Sequence, residues 1–141
     1  MLILIRGLPG SGKTTVAKKM MKGKKGWKHF ETDNYHMVRG VYRYNPANAA
    51  SYHQRCLQDA TDAVSKGFTV IVSNTFTTYS EMEPYLDMAR DYGVEFKVIC
   101  CTGDFESTHG VPADIIDRMA SRWEDFAVEK ILKENGEELN A

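Results

Sequence analysis

Cysteine is scarce and badly placed for cross-linking. Cys56, Cys100 and Cys101 form an odd set with two adjacent members, which excludes a disulfide framework and points to a reducing, cytoplasmic setting. Long apolar runs are absent: no stretch approaches the roughly 18 residues that a spanning helix needs, so no membrane contact is expected. The apolar start Met1–Ile5 is too short for a signal peptide and lacks its basic lead. An excess of one charge is missing too. The 18 basic and 19 acidic residues leave a net charge of −1, so the whole molecule is no polycation, and contact with nucleic acid needs a local basic patch. Internal repeats, low-complexity tracts and dividing linkers are lacking. His53 and Cys56 have helical i, i+3 spacing, but further ligands at metal-binding spacing are missing, and the pair reads as packing.

What remains is a 141-residue chain, 43% hydrophobic and 26% charged. That is one domain on size and too apolar for a disordered chain. We expect the domain to span residues 1–134 and the polar tail, residues 135–141, to fray.

Strands and helices alternate along it. Leu2–Arg6 is an apolar, β-branched run, hence a buried strand. Thr14–Met21 carries Val16, Ala17, Met20 and Met21 on one helical face, and Gly23–Gly26 breaks it. Trp27–Thr32 reads as a short second strand. Ala49, His53, Cys56, Leu57, Ala60, Ala63 and Val64 mark a helix over 48–66, stopped by Gly67. Phe68–Val72 is an interior strand. Met82, Leu86, Met88 and Ala89 mark a helix whose capping box is Thr78-x-x-Glu81 or Ser80-x-x-Glu83. Val94–Cys101 is a fourth strand. From Pro112, the positions Ile115, Ile116, Met119, Trp123, Phe126, Ala127 and Ile131 predict a long amphipathic helix. Such alternation argues for an α/β fold with a parallel sheet, whose function gathers at the carboxyl ends of the strands.

At the first of those ends stands Gly7-Leu8-Pro9-Gly10-Ser11-Gly12-Lys13-Thr14-Thr15. Its first eight residues are a complete G-x-x-x-x-G-K-[ST] pattern between a strand and a helix. Glycines let successive backbone N–H groups curl around phosphate oxygens, and the helix adds its positive end. Lys13 supplies a cation for the β- and γ-phosphates, and the Thr14 hydroxyl a ligand for Mg²⁺. A nucleoside triphosphate, ATP, is the implied ligand.

Transfer of a phosphoryl group needs more. Asp33, just after the second strand, faces the same crevice. It is a candidate base for the acceptor hydroxyl or simply a helix N-cap. Many P-loop enzymes place a carboxylate at the end of the third strand to hold the metal's water shell. Ser73 and Asn74 bring none there, although Asn74 and Thr75 can hydrogen-bond. Arg39 and Arg43, interleaved with Tyr35, Tyr42 and Tyr44, suit a phosphate backbone and stacked bases, or are a tyrosine-packed surface loop. Lys18, Lys19, Lys22, Lys24, Lys25 and Lys28 form the dense basic run, either a solvated face or a steering patch.

These residues resemble the kinase domain of polynucleotide 5′-hydroxyl kinases. The resemblance is strongest to the small branch that includes the kinase-like domain of NEDD4-binding protein 2 and phage AAA-family ATPases. The segments that carry it are Arg6–Thr15, Thr32–Tyr35, Gly40–Tyr42 with Tyr44, and His53–Cys56. Further along they are Asn74-Thr75, Met82-x-Pro84-Tyr85, and His109-Gly110-Val111-Pro112 with Arg118-Met119 and Arg122. They run in order over residues 2–126.

The resemblance implies a P-loop NTPase/kinase fold: a four-stranded parallel sheet flanked by helices, with a short lid before the C-terminal helix. It implies transfer of the ATP γ-phosphate to a 5′-hydroxyl of DNA or RNA. Lys13 and Thr14 then serve the phosphates and the metal, Asp33 is the general base, and Arg39, Arg43, Asn74 and Thr75 are the acceptor-binding candidates. The chain departs from the family in three places. The lid, Thr102–Thr108, has no arginine or lysine; Arg118 or Arg122 could reach over instead, or both are salt-bridged surface residues, and Arg122 is the catalytic candidate. The third-strand Asp is read as Asn74. The later Asn of that motif is Phe76. Two other functions stay open: a small-molecule kinase of the zeta-toxin type, and a nucleotide-binding module without catalysis.

Overall fold

The computed structural model describes residues 1–103, 110–125 and 138–140. Its centre is β1 (Leu2–Arg6), every residue of which is buried. The loop after it leads into α1 (Lys13–Met21), then β2 (Trp27–Phe30) and a 3₁₀ turn (Thr32–His36). A small antiparallel hairpin follows, β3 (Met37–Val38) with β4 (Val41–Tyr42). Then come α2 (Pro46–Ser65), β5 (Thr69–Asn74), α3 (Tyr79–Asp91), β6 (Phe96–Cys100), α4 (Ala113–Arg122) and β7 (Glu138–Asn140).

The main sheet is parallel throughout, in the order β2-β5-β1-β6-β7. The four expected strands are its first four. Residues 138–140 of the tail expected to fray pair instead with Val98–Cys100 as a fifth strand. The physical reason is the edge: without them β6 would present an unpaired row of backbone groups.

Side chains alternate across β1 with period two. Leu2 and Leu4 join Val70, Val72 and Val98 on the face covered by α2 and α3. Ile3 and Ile5 join Ile71 and Ile99 on the face covered by α1 through Ala17, Val16 and Met20. Each buried leucine, isoleucine and valine of these strands contributes about 1.5–3 kcal/mol. The chain leaves β1 toward β2 on one side and leaves β5 toward β6 on the other. The β1–β5 boundary is therefore the switch point, and a crevice opens beyond Arg6 and Asn74, which stand side by side in the register.

Three departures from expectation bear on the site. The second strand ends at Phe30, and the chain turns into 3₁₀ at Thr32. The α2 helix begins at Pro46, capped by the Asn45 side chain, which accepts from the Ala47 N–H at 3.0 Å. The last helix stops at Arg122 instead of continuing through Ile131; residues 126–137 lie outside the described part. The stop has a cause in Arg6, which is fully buried. Its guanidinium donates from Nε to the Phe76 carbonyl at 3.1 Å, and from Nη2 to the Thr77 carbonyl at 3.4 Å and the Glu124 carbonyl at 3.3 Å. It also stacks on the Trp123 ring, 3.9 Å from the centroid. A buried guanidinium must be satisfied, and the backbone at 123–124 leaves the helix to do so.

Candidate functional site

The phosphate loop runs from Gly7 to Gly12 at the switch point. Gly10 and Gly12 sit at φ 81° and 96°, a region open to glycine at no steric cost. Gly7 is needed for another reason: a Cβ there would lie 2.3 Å from Ser11 Oγ and 2.8 Å from the Cys101 carbonyl. Its N–H donates to the Thr75 carbonyl at 3.2 Å. The Ser11 hydroxyl is buried and has no hydrogen-bond partner among the described residues, a donor that a phosphate oxygen would satisfy. Lys13 curls back, and its Nζ donates to the Leu8 carbonyl at 3.0 Å. Burial lowers the Lys13 pKa, while the charges of Asp33, Cys101 and Glu31 oppose that shift. Gly7, Leu8, Pro9, Gly10, Ser11, Gly12, Lys13 and Thr14 thus form one continuous cradle.

Thr14 is not alone at the mouth. Its hydroxyl donates to Glu31 Oε2 at 3.1 Å. The Ser73 hydroxyl at the end of β5 donates to the same oxygen at 3.1 Å. His29 Nε2 lies 2.6 Å from Ser73 Oγ and 3.9 Å from Glu31 Oε2. A carboxylate only accepts, so Ser73 spends its proton on Glu31, and His29 donates Nε2–H to Ser73. Burial and the charge of Lys18 lower the His29 pKa against the pull of Glu31. Sequence reasoning missed Glu31. Its signal was there in hindsight: a carboxylate one residue past a strand that neighbours β5. Thr14 and Glu31 offer hard oxygen donors, the chemistry that suits Mg²⁺.

Asp33 lies inside the 3₁₀ turn, not at its N-cap, which is Glu31. Two contacts hold the first residue of that turn. The Thr32 N–H donates to Asn74 Oδ1 at 2.9 Å, and the Thr32 hydroxyl lies 3.3 Å from His53 Nδ1. Asn74 therefore tethers the turn to the end of β5. The Tyr42 hydroxyl donates to Asp33 Oδ1 at 3.3 Å. Burial first, and then the charge of Asp33, push the Tyr42 pKa up, so it stays a donor. Half-buried Asp33 is near enough to Lys13 for its charge to act there. The structure thus brings Lys13, Thr14, Glu31, Asp33, Ser73 and Asn74 together.

Other expected residues fall farther out. Thr75 serves through its carbonyl, as above. Thr15 lines a shallow depression of about 610 Å³ with Lys18, Lys19, Met21, Lys22 and His29. Neither Lys13 nor Asp33 lines it; His29 is the residue that it shares with the cluster at the mouth. Elsewhere in the basic run, Lys24 lies over Trp27 and Lys28 over Phe68. Arg39 and Arg43 are exposed on and just after the hairpin, and Arg122 is exposed in the last turn of α4. Among the described residues these three side chains make no ion pair or hydrogen bond. Arg118 pairs loosely with Asp114 at 3.9 Å. Residues 104–108 of the expected lid lie outside the described part. Of the pair read as packing, Cys56 is buried and in no disulfide, whereas His53 is exposed and meets the Thr32 hydroxyl.

The chain is similar to known proteins over most of its length. The AAA domain family matches residues 2–122. Human NEDD4-binding protein 2 is 27% identical over 143 aligned residues, covering 93% of this chain and 8% of its own length. An uncharacterized protein of Pasteurella multocida is 28% identical, covering 84% of this chain and 73% of itself. Among solved structures, the Pnkp1/Rnl/Hen1 RNA repair complex aligns at TM-score 0.63 and 19% identity, over 92% of this chain and 45% of that one. A Sinorhizobium meliloti gluconokinase aligns at 0.59 and 17%, over 98% and 81%. The Mycobacterium tuberculosis APS kinase CysC, in complex with AMPPNP and APS, aligns at 0.55 and 22%, over 83% and 66%. This chain spans a small part of the human relative and under half of the matched chain of the RNA repair complex. It belongs to the AAA domain family and has the fold of P-loop kinases.

Proposed function

We propose that this AAA-domain chain transfers the γ-phosphoryl group of ATP to an alcohol, the 5′-hydroxyl of a DNA or RNA end. The observation that carries the reading is Asp33. It is fixed by Asn74 and Tyr42 on a turn beside the phosphate loop, within the electrostatic reach of Lys13. A nucleotide binder needs the loop; it has no use for a tethered carboxylate across the crevice.

In this reading the loop amides and Ser11 hold the phosphates, and Lys13 exchanges the Leu8 carbonyl for a phosphate oxygen. Bound Mg²⁺ would neutralise phosphate charge, with Thr14 among its ligands. The acceptor oxygen attacks phosphorus as its proton passes to Asp33. The bond from phosphorus to the bridging oxygen breaks, and ADP leaves with that electron pair. An Asp serves although its ordinary pKa is near 4, because it need only accept the proton as attack proceeds. Arg39 and Arg43 lie on the hairpin next to Tyr42 and are the acceptor-side cations. Arg122 is the candidate cation over the transferring group.

A second reading has its own support. Small-molecule kinases, a gluconokinase and an APS kinase by name, share the fold. A third, binding without transfer, is supported by the lack of lid cations in the sequence. The deciding experiment offers γ-labelled ATP to 5′-hydroxyl DNA and RNA oligonucleotides. Labelled oligonucleotide is expected from the parent protein and none from Lys13→Ala. Asp33→Asn should lose transfer by at least 10²-fold while binding ATP about as well as the parent. If Asp33→Asn transfers at the parent rate, the base is misassigned. If the parent binds ATP and labels no oligonucleotide, the acceptor is something else.

A further inference from the structure

We infer that Glu31 supplies the carboxylate that holds the metal's water shell beside Thr14, a task that the end of β5 cannot perform here. This rests on the nucleotide-binding reading of the loop.

The end of β5 carries Ser73 and Asn74, which have no charge to offer. Glu31 leaves the neighbouring strand, and its Oε2 stands 3.1 Å from Ser73 Oγ and 3.1 Å from Thr14 Oγ1. Parallel pairing of β2 with β5, Phe30 opposite Val72, puts residue 31 beside residue 73. The carboxylate thus reaches the β5 end from the next strand, with Ser73 as its anchor.

Its contact with Thr14 is of the useful kind. The Thr14 hydroxyl donates to Glu31, which leaves the threonine lone pairs free for a cation. The carboxylate stands between two hydroxyl donors, with His29 behind Ser73. Asp33 is not a rival for this task, because its carboxylate is engaged by Tyr42 and its turn is tied to Asn74. The plain alternative is that Glu31 only stitches the ends of β2 and β5 to the start of α1.

The two roles separate in the metal dependence of nucleotide affinity. ATP binding is measured calorimetrically on the full chain, in EDTA and in excess Mg²⁺. In the parent, Mg²⁺ tightens binding. Glu31→Gln keeps the size of the side chain and an acceptor for Thr14 and Ser73, so a stitching role survives in it. It should lose about 10-fold or more of the Mg²⁺-dependent tightening, with affinity in EDTA close to the parent's. The pair Glu31→Ser with Ser73→Asp moves the carboxylate back to β5 and should regain that tightening. Mn²⁺ resonance spectra of the ATP complex should change in Glu31→Gln and return toward the parent in the pair.

An unchanged ratio between EDTA and Mg²⁺ in Glu31→Gln overturns the inference. So does a pair that folds, judged by its thermal transition, yet stays at the Gln level. A parent that binds no ATP in either condition overturns the loop reading, and this with it. A parent that binds Mg-ATP but labels no oligonucleotide touches only the acceptor.

Discussion

Phe76 holds a conformation few phenylalanines hold. Its φ is 45° and its side chain is 2% exposed. A left-handed backbone costs an L-residue roughly 1–2 kcal/mol. The ring packs edge-to-face on Tyr85, 5.5 Å between centroids, and the carbonyl accepts from Arg6. Burial outweighs the strain, since removing a core phenylalanine side chain costs about 3–5 kcal/mol. Phe76→Ala should lose that amount in urea unfolding. Phe76→Gly removes the same packing but also the strain, so it should be no worse than Ala, against the usual order. Ala clearly more stable than Gly would show that the backbone there relaxes. His36 allows a test by pH. Its ring is buried among Tyr42, Tyr44 and Tyr52. Burial, helped by His53 and opposed by Asp33, lowers its pKa. The folded value lies below the unfolded one near 6.5. The stability linked to His36 is therefore full above about 6.5 and is lost as pH falls from there through the folded value. Between pH 7.5 and 5.5, the fall in Tm should be smaller in His36→Phe than in the parent. Equal slopes would mean that the ring titrates normally.

The elements differ in how far they could be read from local pattern. β1 and β5 are apolar runs bounded by turn residues, and they appear where that pattern puts them. The α2 helix starts two residues before its apolar periodicity, because Asn45-Pro46 is a cap that periodicity does not register. The β3–β4 hairpin was illegible. Its two-residue turn, Arg39-Gly40, has both residues at positive φ, 51° and 78°. That is the geometry of a type I′ turn, but with arginine where Asn or Asp would announce it. Glu31 was missed for a related reason: its role depends on which strand lies beside β2, and β2 pairs with a strand some forty residues later in the chain. The end of α4 shows the same dependence on distance. Glu124 Oε1 accepts from the Tyr79 N–H at 2.6 Å, and the Glu124 N–H donates to the Thr77 carbonyl at 2.9 Å. The start of α3 is thus capped by a residue from the far side of the sequence, while the Thr78 side chain makes no capping bond. Of the two boxes expected, Thr78-x-x-Glu81 is the one at the helix start, but its hydroxyl meets the Glu81 carboxylate at 3.4 Å. Glu124→Ala should cost about 1–2 kcal/mol and speed amide exchange at Tyr79 and its neighbours. Glu124→Gln should keep most of that protection. Exchange at Tyr79 unchanged in Glu124→Ala would remove Glu124 as the cap.

At the scale of the whole molecule, charge decides how an acceptor can be held. The net charge of −1 gives a polyanion no general attraction, so the proposed nucleic-acid acceptor would have to be gripped by a few cations near the mouth. Arg39 and Arg43 lie on the hairpin side, beside the turn that carries Asp33, and Lys18, Lys19 and Lys22 line the depression on the α1 side. Grip by about three of them on a single strand gives a logarithmic salt slope of roughly −2. Raising monovalent salt from 50 to 200 mM should then raise the KM for a 5′-hydroxyl oligonucleotide roughly 16-fold. The KM for ATP, set by the amides of the loop and by Lys13, should move much less. Arg39→Gln with Arg43→Gln should flatten the oligonucleotide slope if the hairpin side is the grip and leave it intact if the lysines of α1 are. A KM that ignores salt in the parent would mean that no polyanion is held here, and the weight would pass to a small, uncharged alcohol as the acceptor.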